Sequence, residues 1–247
     1  MTPDNVTVLF DRGAVSQHEK AYGVLEDLIV TGALAPGSQW SEVALAEKIG
    51  LGRTPTREAI QKLVFQRLVR VAPRQGVFIS EIDYQGQLKI VQARRDIEHL
   101  IVAQAAQLAS SAERDSLRYV AQQLDELKDT RDMRTYMRLH FTLTRLLGEA
   151  SRNIYAAEFY STLQTLSRRF LYFHQDRYTN FVHICDLHIR QINAVVTGEV
   201  EAAIELAKAR NDYAETFARE ILMELILNSQ VSVSSAPHSP TASGGKR

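Results

Sequence analysis

Cysteine is almost missing from this sequence: Cys185 is the single one in 247 residues. No intramolecular disulfide can form and no cysteine cluster can hold a metal. Lying in an apolar run, Cys185 reads as a small core residue. Net charge is missing too, since 29 Lys and Arg balance 29 Asp and Glu. That balance argues against a whole-molecule polyanion binder and confines any nucleic-acid function to a patch. No apolar run approaches the roughly 18 residues needed to span a bilayer. The first residues lack a secretory pattern, so the expected location is cytoplasmic, with no membrane partner. Internal repeats are absent, as are a phosphate-binding glycine loop, a buried carboxylate pair, and a Ser or Cys nucleophile beside a base. The chain is therefore expected not to be an enzyme. An enzyme built on a helical bundle stands as the alternative from another class.

What is present is organised around residues 41–76, SEVALAEKIGLGRTPTREAIQKLVFQRLVRVAPRQG. Ser41 can cap a short helix ending at Ile49, and Gly50 suits its left-handed terminus. A second helix is expected to open at Thr54 with Pro55 at its first position. Ala59, Ile60, Leu63, Val64 and Leu68 recur at helical spacing and form its buried stripe. Residues 69–71 and 76–79 read as two short strands, joined by residues 72–75. Helix, tight turn and helix is the geometry that places a second helix in the major groove. Between Arg53 and Arg74 the basic residues are Arg53, Arg57, Lys62, Arg67, Arg70 and Arg74, against one acid, Glu58. This local basic patch suits phosphates.

These residues resemble a known family. Leu45-Ala46-Glu47, the run from Gly52 through Arg53-Thr54-Pro55-Thr56-Arg57 to Ala59, and Pro73-Arg74-Gln75-Gly76-Val77-Phe78 are similar to the winged-helix domain of GntR-type bacterial transcription regulators, as is the loop 32–37. The resemblance implies that Arg53 and Arg57 contact operator DNA, with Thr54, Thr56 and Arg74 nearby and Gly76 at the wing tip. Many relatives carry an Arg just before or early in the 41–49 helix. Here Gln39 and Val43 stand there, so base preference is expected to differ.

Taken in order, the chain is expected to be mainly α: an N-terminal winged helix-turn-helix followed by an antiparallel helical bundle. Residues 1–16 read as a flexible arm, 17–82 as the DNA-binding domain, 83–228 as an all-helical domain for effector binding and dimerisation, and 229–247 as a disordered tail rich in Ser, Pro and Gly. A helix from 17 to 31 would bury Tyr22, Leu25, Leu28 and Ile29. Six helices with short connections follow. Their inward residues include Ile101 and Leu108 on the first, Leu117 to Leu127 on the second, and Met137 and Phe141 on the third. Phe159, Leu166 and Phe170 belong to the fourth, Ile184 and Val195 to the fifth, and Leu206 and Phe217 to the last.

Helical phase also points polar residues inward. His140 and Thr144 fall in the stripe Met133, Met137, Leu147; His188 lies between Ile184 and Ile192; Arg210 lies between Leu206 and Tyr213; Arg94 and Glu98 lie between Val91 and Ile101. A buried Arg is costly unless paired, and four helices carrying such residues suggest one shared polar cavity. His174 and His183 are expected to face solvent, and Arg168 and Arg169 to make surface ion pairs, with one of the two reaching the cavity as the alternative.

Residues 93–98, 147–153 and 188–203 resemble the FadR-type C-terminal effector domain (FCD) of GntR regulators, so that the two resemblances span residues 17–227. Many such domains hold a divalent metal through an Asp and three His. The resemblance maps those positions to His140, Thr144, His188 and Arg210. Arg has no lone pair to offer a metal. A metal is therefore not expected, and a site on His140 and His188 is the alternative within the same class. Arg210 can instead supply the positive charge. The expected effector is a small carboxylate held by Arg94 and Arg210, with His140, His188 and Thr144 adding hydrogen bonds. The expected partners are that effector, a palindromic double-stranded operator and a second copy of the chain. No cofactor is expected.

Overall fold

The computed structural model describes the backbone over residues 16–234 and the side chains over 16–228. The arm expected over 1–16 lies outside the described residues except for Ser16. Ser16 is no part of an arm: it caps helix α1 (Gln17–Val30) with a full capping box to Glu19. Helix α2 (Glu42–Ile49) is capped by Ser41 and closed by Gly50 in the left-handed region, as its sequence demands. Helix α3 (Arg53–Phe65) starts one residue earlier than Thr54, with Gly52 at the cap position. The cause is visible at Thr56, whose amide and hydroxyl both donate to the Gly52 carbonyl, at 3.2 and 2.8 Å. That pair draws Gly52 into the first turn. Val64, expected in the stripe, is instead exposed.

The wing has three strands rather than two. Strands β2 (Val69–Ala72) and β3 (Gly76–Ile79) pair antiparallel, and β1 (Gln39–Trp40) adds to the other edge of β3, giving the order β1-β3-β2. Ala72 pairs with Gly76, so the turn itself is Pro73–Gln75. Gly76 is one residue past the tip, at φ +104°, where a Cβ would lie 2.5 Å from the Trp40 carbonyl oxygen. Its lack of a side chain answers to that close approach of β1.

Six helices build the second unit: α4 (Gln87–Leu108), α5 (Ser111–Thr130), α6 (Met133–Ala150), α7 (Ile154–Phe173), α8 (Phe181–Thr197) and α9 (Val200–Ser234). A short 3-10 turn, Gln175–Arg177, precedes α8. Asp132 caps α6, Asn153 caps α7, and Gly198 closes α8 in the left-handed region. Helix α9 continues to Ser234, into the segment expected to be disordered from residue 229; residues 235–247 lie outside the described residues. Leu117, Val120, Leu124 and Leu127 are buried as expected, whereas Leu108 and Phe159 are exposed. Phe141 and Leu166 are inward, but toward a different core. They pack against the cluster of Tyr22, Leu25, Ile60, Leu63 and Val77 that holds the winged unit together. Among the described residues no helix is long and apolar enough to cross a membrane.

Candidate functional site

Two places concentrate chemistry. The first is the exposed end of α3. Arg53, Thr54 and Arg57 are all exposed there, on the opposite side from buried Ala59, Ile60 and Leu63. Gly52 offers no side-chain cap, so the first-turn N–H groups are left for water or an anion. Arg57 Nε rests on Glu42 Oε2 at 3.0 Å. Arg74 is exposed at the wing turn with φ +62°, and Arg70 stacks on Phe78 at 4.5 Å. One residue leaves the expected contact set and another leaves the basic patch. Thr56 is fully buried and its hydroxyl is committed to Gly52, so it cannot meet a groove. Lys62 lies over the Tyr22 ring at 4.0 Å, and burial pulls its amine below the usual lysine range.

The second place is a polar cluster inside the helical unit. Glu98 on α4 is fully buried and accepts from Arg210 Nη1 at 2.7 Å, Asn211 Nδ2 at 3.0 Å and Gln164 Nε2 at 3.3 Å. Arg94, one turn earlier, is farther from that carboxylate at 3.8 Å. Its Nε instead donates to Asn211 Oδ1 at 2.8 Å and its Nη1 to Gln164 Oε1 at 3.4 Å. The two guanidiniums respond differently. Burial is the largest effect on both and opposes both charges; Glu98 together with Tyr160, Tyr136 and Tyr178 outweighs it for Arg210, which is raised, whereas Arg94, also facing the Arg210 charge, is lowered. Glu98 therefore belongs to Arg210, and Arg94 is the under-compensated cation.

Above this cluster lies a cavity of about 40 Å³ lined by Arg94, Tyr136, His140, Ser167, Arg168, His188 and Arg210, among others. By volume it holds about three water-sized positions. Thr144, expected beside His140, is buried but does not line it; its hydroxyl donates back to the His140 carbonyl at 2.8 Å. Tyr136 was not foreseen, and its hydroxyl meets His188 Nε2 at 2.9 Å. His140 Nε2 lies 3.5 Å from Arg210 Nη2. Several buried donors have no partner among the described residues: Arg210 Nε, Gln191 Nε2, Ser167 Oγ and Arg168 Nε. With both imidazoles neutral, two guanidiniums against one carboxylate leave the cluster one positive charge in excess. That arrangement can take one small anion.

A divalent ion does not fit the same residues. Among the described residues no three His, Cys, Asp or Glu side chains converge. The third neighbour of His140 and His188 is the Arg210 guanidinium, a permanent cation without a lone pair.

Burial, then the charges of His188 and Arg210, holds His140 well below the histidine value of 6.5; burial, Arg210 and Arg94 do the same to His188. Each stays neutral when folded and takes up a proton on unfolding. Their stabilisation is complete above about pH 6.5 and is lost as pH falls below it, by up to about 1.4 kcal/mol per pH unit for each ring. Urea unfolding from pH 7.5 to 5.5 should show that slope, and His140→Gln should make it shallower. An unchanged slope in His140→Gln would mean that His140 takes up its proton in the folded protein.

The expected surface positions of Arg168 and Arg169 are wrong. Both are buried, and both reach the winged unit: Arg168 Nη2 bonds Glu26 on α1, and Arg169 Nη2 donates to the Ser80 carbonyl at 2.5 Å. His174 is half-buried against Phe170 and Tyr84, whereas His183 is exposed as expected. The amides Gln164, Gln191 and Asn211 were missed because an amide on a helix ordinarily reads as surface.

The family described as "Bacterial regulatory proteins, gntR family" matches residues 17–79, and the FCD domain matches residues 89–211. The HTH-type transcriptional regulator McbR of Escherichia coli (strain K12) is 29% identical over 109 residues, which are 44% of this chain and 49% of McbR. An uncharacterized HTH-type transcriptional regulator of Streptomyces ambofaciens, in an unstable DNA locus, is 42% identical over 62 residues, covering 25% of this chain and 26% of that protein. The chain thus spans about half or less of the length of these curated relatives. The structure of E. coli McbR/YncC shares the fold, with a TM-score of 0.71 at 19% identity over 84% of this chain and 99% of that one.

Proposed function

We propose that this chain, which belongs to the gntR-family regulators of FadR type carrying an FCD domain, is a transcription regulator whose operator binding responds to a small carboxylate. That it is a DNA-binding transcription regulator follows from the family. Arg53, Thr54 and Arg57 at the open end of α3 would enter the major groove, and Arg74 on the wing would meet the adjacent backbone. Gly76 supports that wing by its fit against Trp40 and makes no contact of its own. One short helix reads only a few base pairs, so two copies on a palindrome are required for useful affinity. The relatives above are named as regulators, in keeping with a non-catalytic role.

The observation that carries the ligand reading is the excess positive charge around Arg94, beside a cavity whose lining residues Ser167, Arg168 and Arg210 each carry an unpartnered donor. The cavity's size restricts the ligand to a short monocarboxylate such as acetate. Arg94, His140, His188 and Arg210 would hold it, and Thr144 would not. The test is fluorescence anisotropy on a duplex that the protein itself selects from random sequence. At fixed salt, Arg53→Ala and Arg57→Ala should each weaken binding, and loss of a base-reading Arg should cost about 1–3 kcal/mol. Acetate should change the affinity, a chelator should not, and Arg94→Ala should abolish the acetate response while DNA binding persists. A response removed by chelator would replace the carboxylate with a metal on His140 and His188. Light scattering showing a monomer that still binds the duplex tightly would remove the dimer.

A further inference from the structure

One cavity-lining side chain also lies at the joint between the two units. Helix α7 presents Ser167 and Arg168 to the cavity. The Arg168 guanidinium spans the wall: Nη2 pairs with Glu26 of α1 and bonds Thr165 Oγ1 at 3.0 Å, and Nη1 donates to the Met137 carbonyl at 3.2 Å. Its Nε is buried without a partner. Both members of the pair are only 2% exposed. Among the described residues Glu26 makes no second ion pair, Lys62 acting on it only from a distance; its neighbour Asp27 takes Arg138 at 3.3 Å and Arg134 at 3.6 Å, on the outer side of the same joint. Around the pair, Phe141 of α6 meets Tyr22 of α1, with ring centroids 6.2 Å apart, and Arg168 lies over Phe141 at 5.2 Å. The position of α1 is thus fixed from inside by one ion pair whose cation faces a cavity already rich in positive charge.

We propose that the Glu26–Arg168 pair is the switch between cavity and DNA-binding unit. A small anion in the cavity competes with Glu26 for the Arg168 guanidinium, entering on the Nε side, where Ser167 Oγ is also unpartnered. When Arg168 turns to the anion, α1 loses its inner anchor while the Asp27 contacts and the Arg169–Ser80 bond keep the units tethered. The winged unit then samples other orientations, and two half-sites are no longer presented at a fixed spacing. Anion and operator binding are therefore antagonistic, and by linkage each weakens the other by the same factor. The proposal rests on the ligand reading above and adds the contact through which it acts.

The test compares wild type, Glu26→Gln and Asp27→Asn by operator anisotropy with acetate, against glutamate at equal ionic strength as an acid too large for the cavity. Binding of 13C-acetate is followed separately by NMR line broadening. In wild type, acetate should weaken operator binding by a factor in the range of about 5–150. Glu26→Gln should bind operator as acetate-saturated wild type does, respond no further to acetate, and bind acetate more tightly, since its competitor is gone. A merely structural role for Glu26 would not tighten acetate. Asp27→Asn should keep the full acetate response. If Glu26→Gln does not fold, Glu26→Asp keeps the charge but withdraws it by one methylene, and should tighten acetate and reduce the response. An unchanged response in the Glu26 variant, or an equal loss in Asp27→Asn, overturns the switch while leaving the ligand reading intact. No acetate binding in any protein overturns both.

Discussion

Glu98→Gln should lose about 3–5 kcal/mol of stability, the range for stripping one partner from a buried charge cluster. Glu98 is fully buried and receives three hydrogen bonds, from Arg210, Asn211 and Gln164, with Arg94 beside it. A Gln of the same size can accept on one side only, and its amide would face other donors. The larger effect is electrostatic. Without the carboxylate, Arg94 and Arg210 become two uncompensated buried cations, and each already depresses the titration of the neighbouring imidazoles. Urea unfolding at pH 7.5 measures the loss. Adding Arg210→Met should recover most of it, because apolar volume then replaces the second charge and the two substitutions are strongly coupled. A Glu98→Gln protein within about 1 kcal/mol of wild type would mean that water or a counter-ion reaches the cluster, and the excess charge assigned to the cavity would be wrong.

The same cluster shows where the sequence was readable. The ends of α2 were legible because capping is local: Ser41 and Gly50 each act within a few residues of themselves. The convergence of Arg94, His140, His188 and Arg210 was legible because helical phase puts each on an inward stripe and a charged residue there has to meet something. Phase reports only that a residue points inward, not which neighbour it meets. Helices α6 and α7 serve two cores at once, so Phe141, Leu166 and Arg168 were read as part of the bundle or its surface although they face α1. Thr56 and Thr144 failed for another reason. A threonine hydroxyl in a helix can bond the carbonyl four residues back, and both do so, which removes Thr56 from the DNA where the resemblance placed it and Thr144 from the effector where phase placed it. Strand β1 is two residues long, too short for any alternation to register.

Gly76 supplies the other large effect. Gly76→Ala should cost more than about 2 kcal/mol, since it combines a conformation that L-residues avoid with a collision that cannot be relieved by a side-chain rotation. Its φ is +104°, and the new Cβ would sit 2.5 Å from the Trp40 carbonyl oxygen, which is backbone. Relief requires β1 to leave β3, and the pairing of Trp40 with Val77 goes with it. Trp40 is the only tryptophan in the chain, so its fluorescence reports the separation directly. Operator binding should fall together with the melting temperature and the Trp40 signal. Arg74→Ala, one turn residue away, should behave differently: melting and fluorescence unchanged, affinity reduced, and the salt dependence of binding shallower by about one counter-ion. The pair of variants separates a glycine that shapes the wing from an arginine that touches DNA. If Gly76→Ala instead melts like wild type with unaltered Trp40 emission and still loses operator affinity, Gly76 itself meets the DNA backbone, and the contact with Trp40 is not what requires a glycine there.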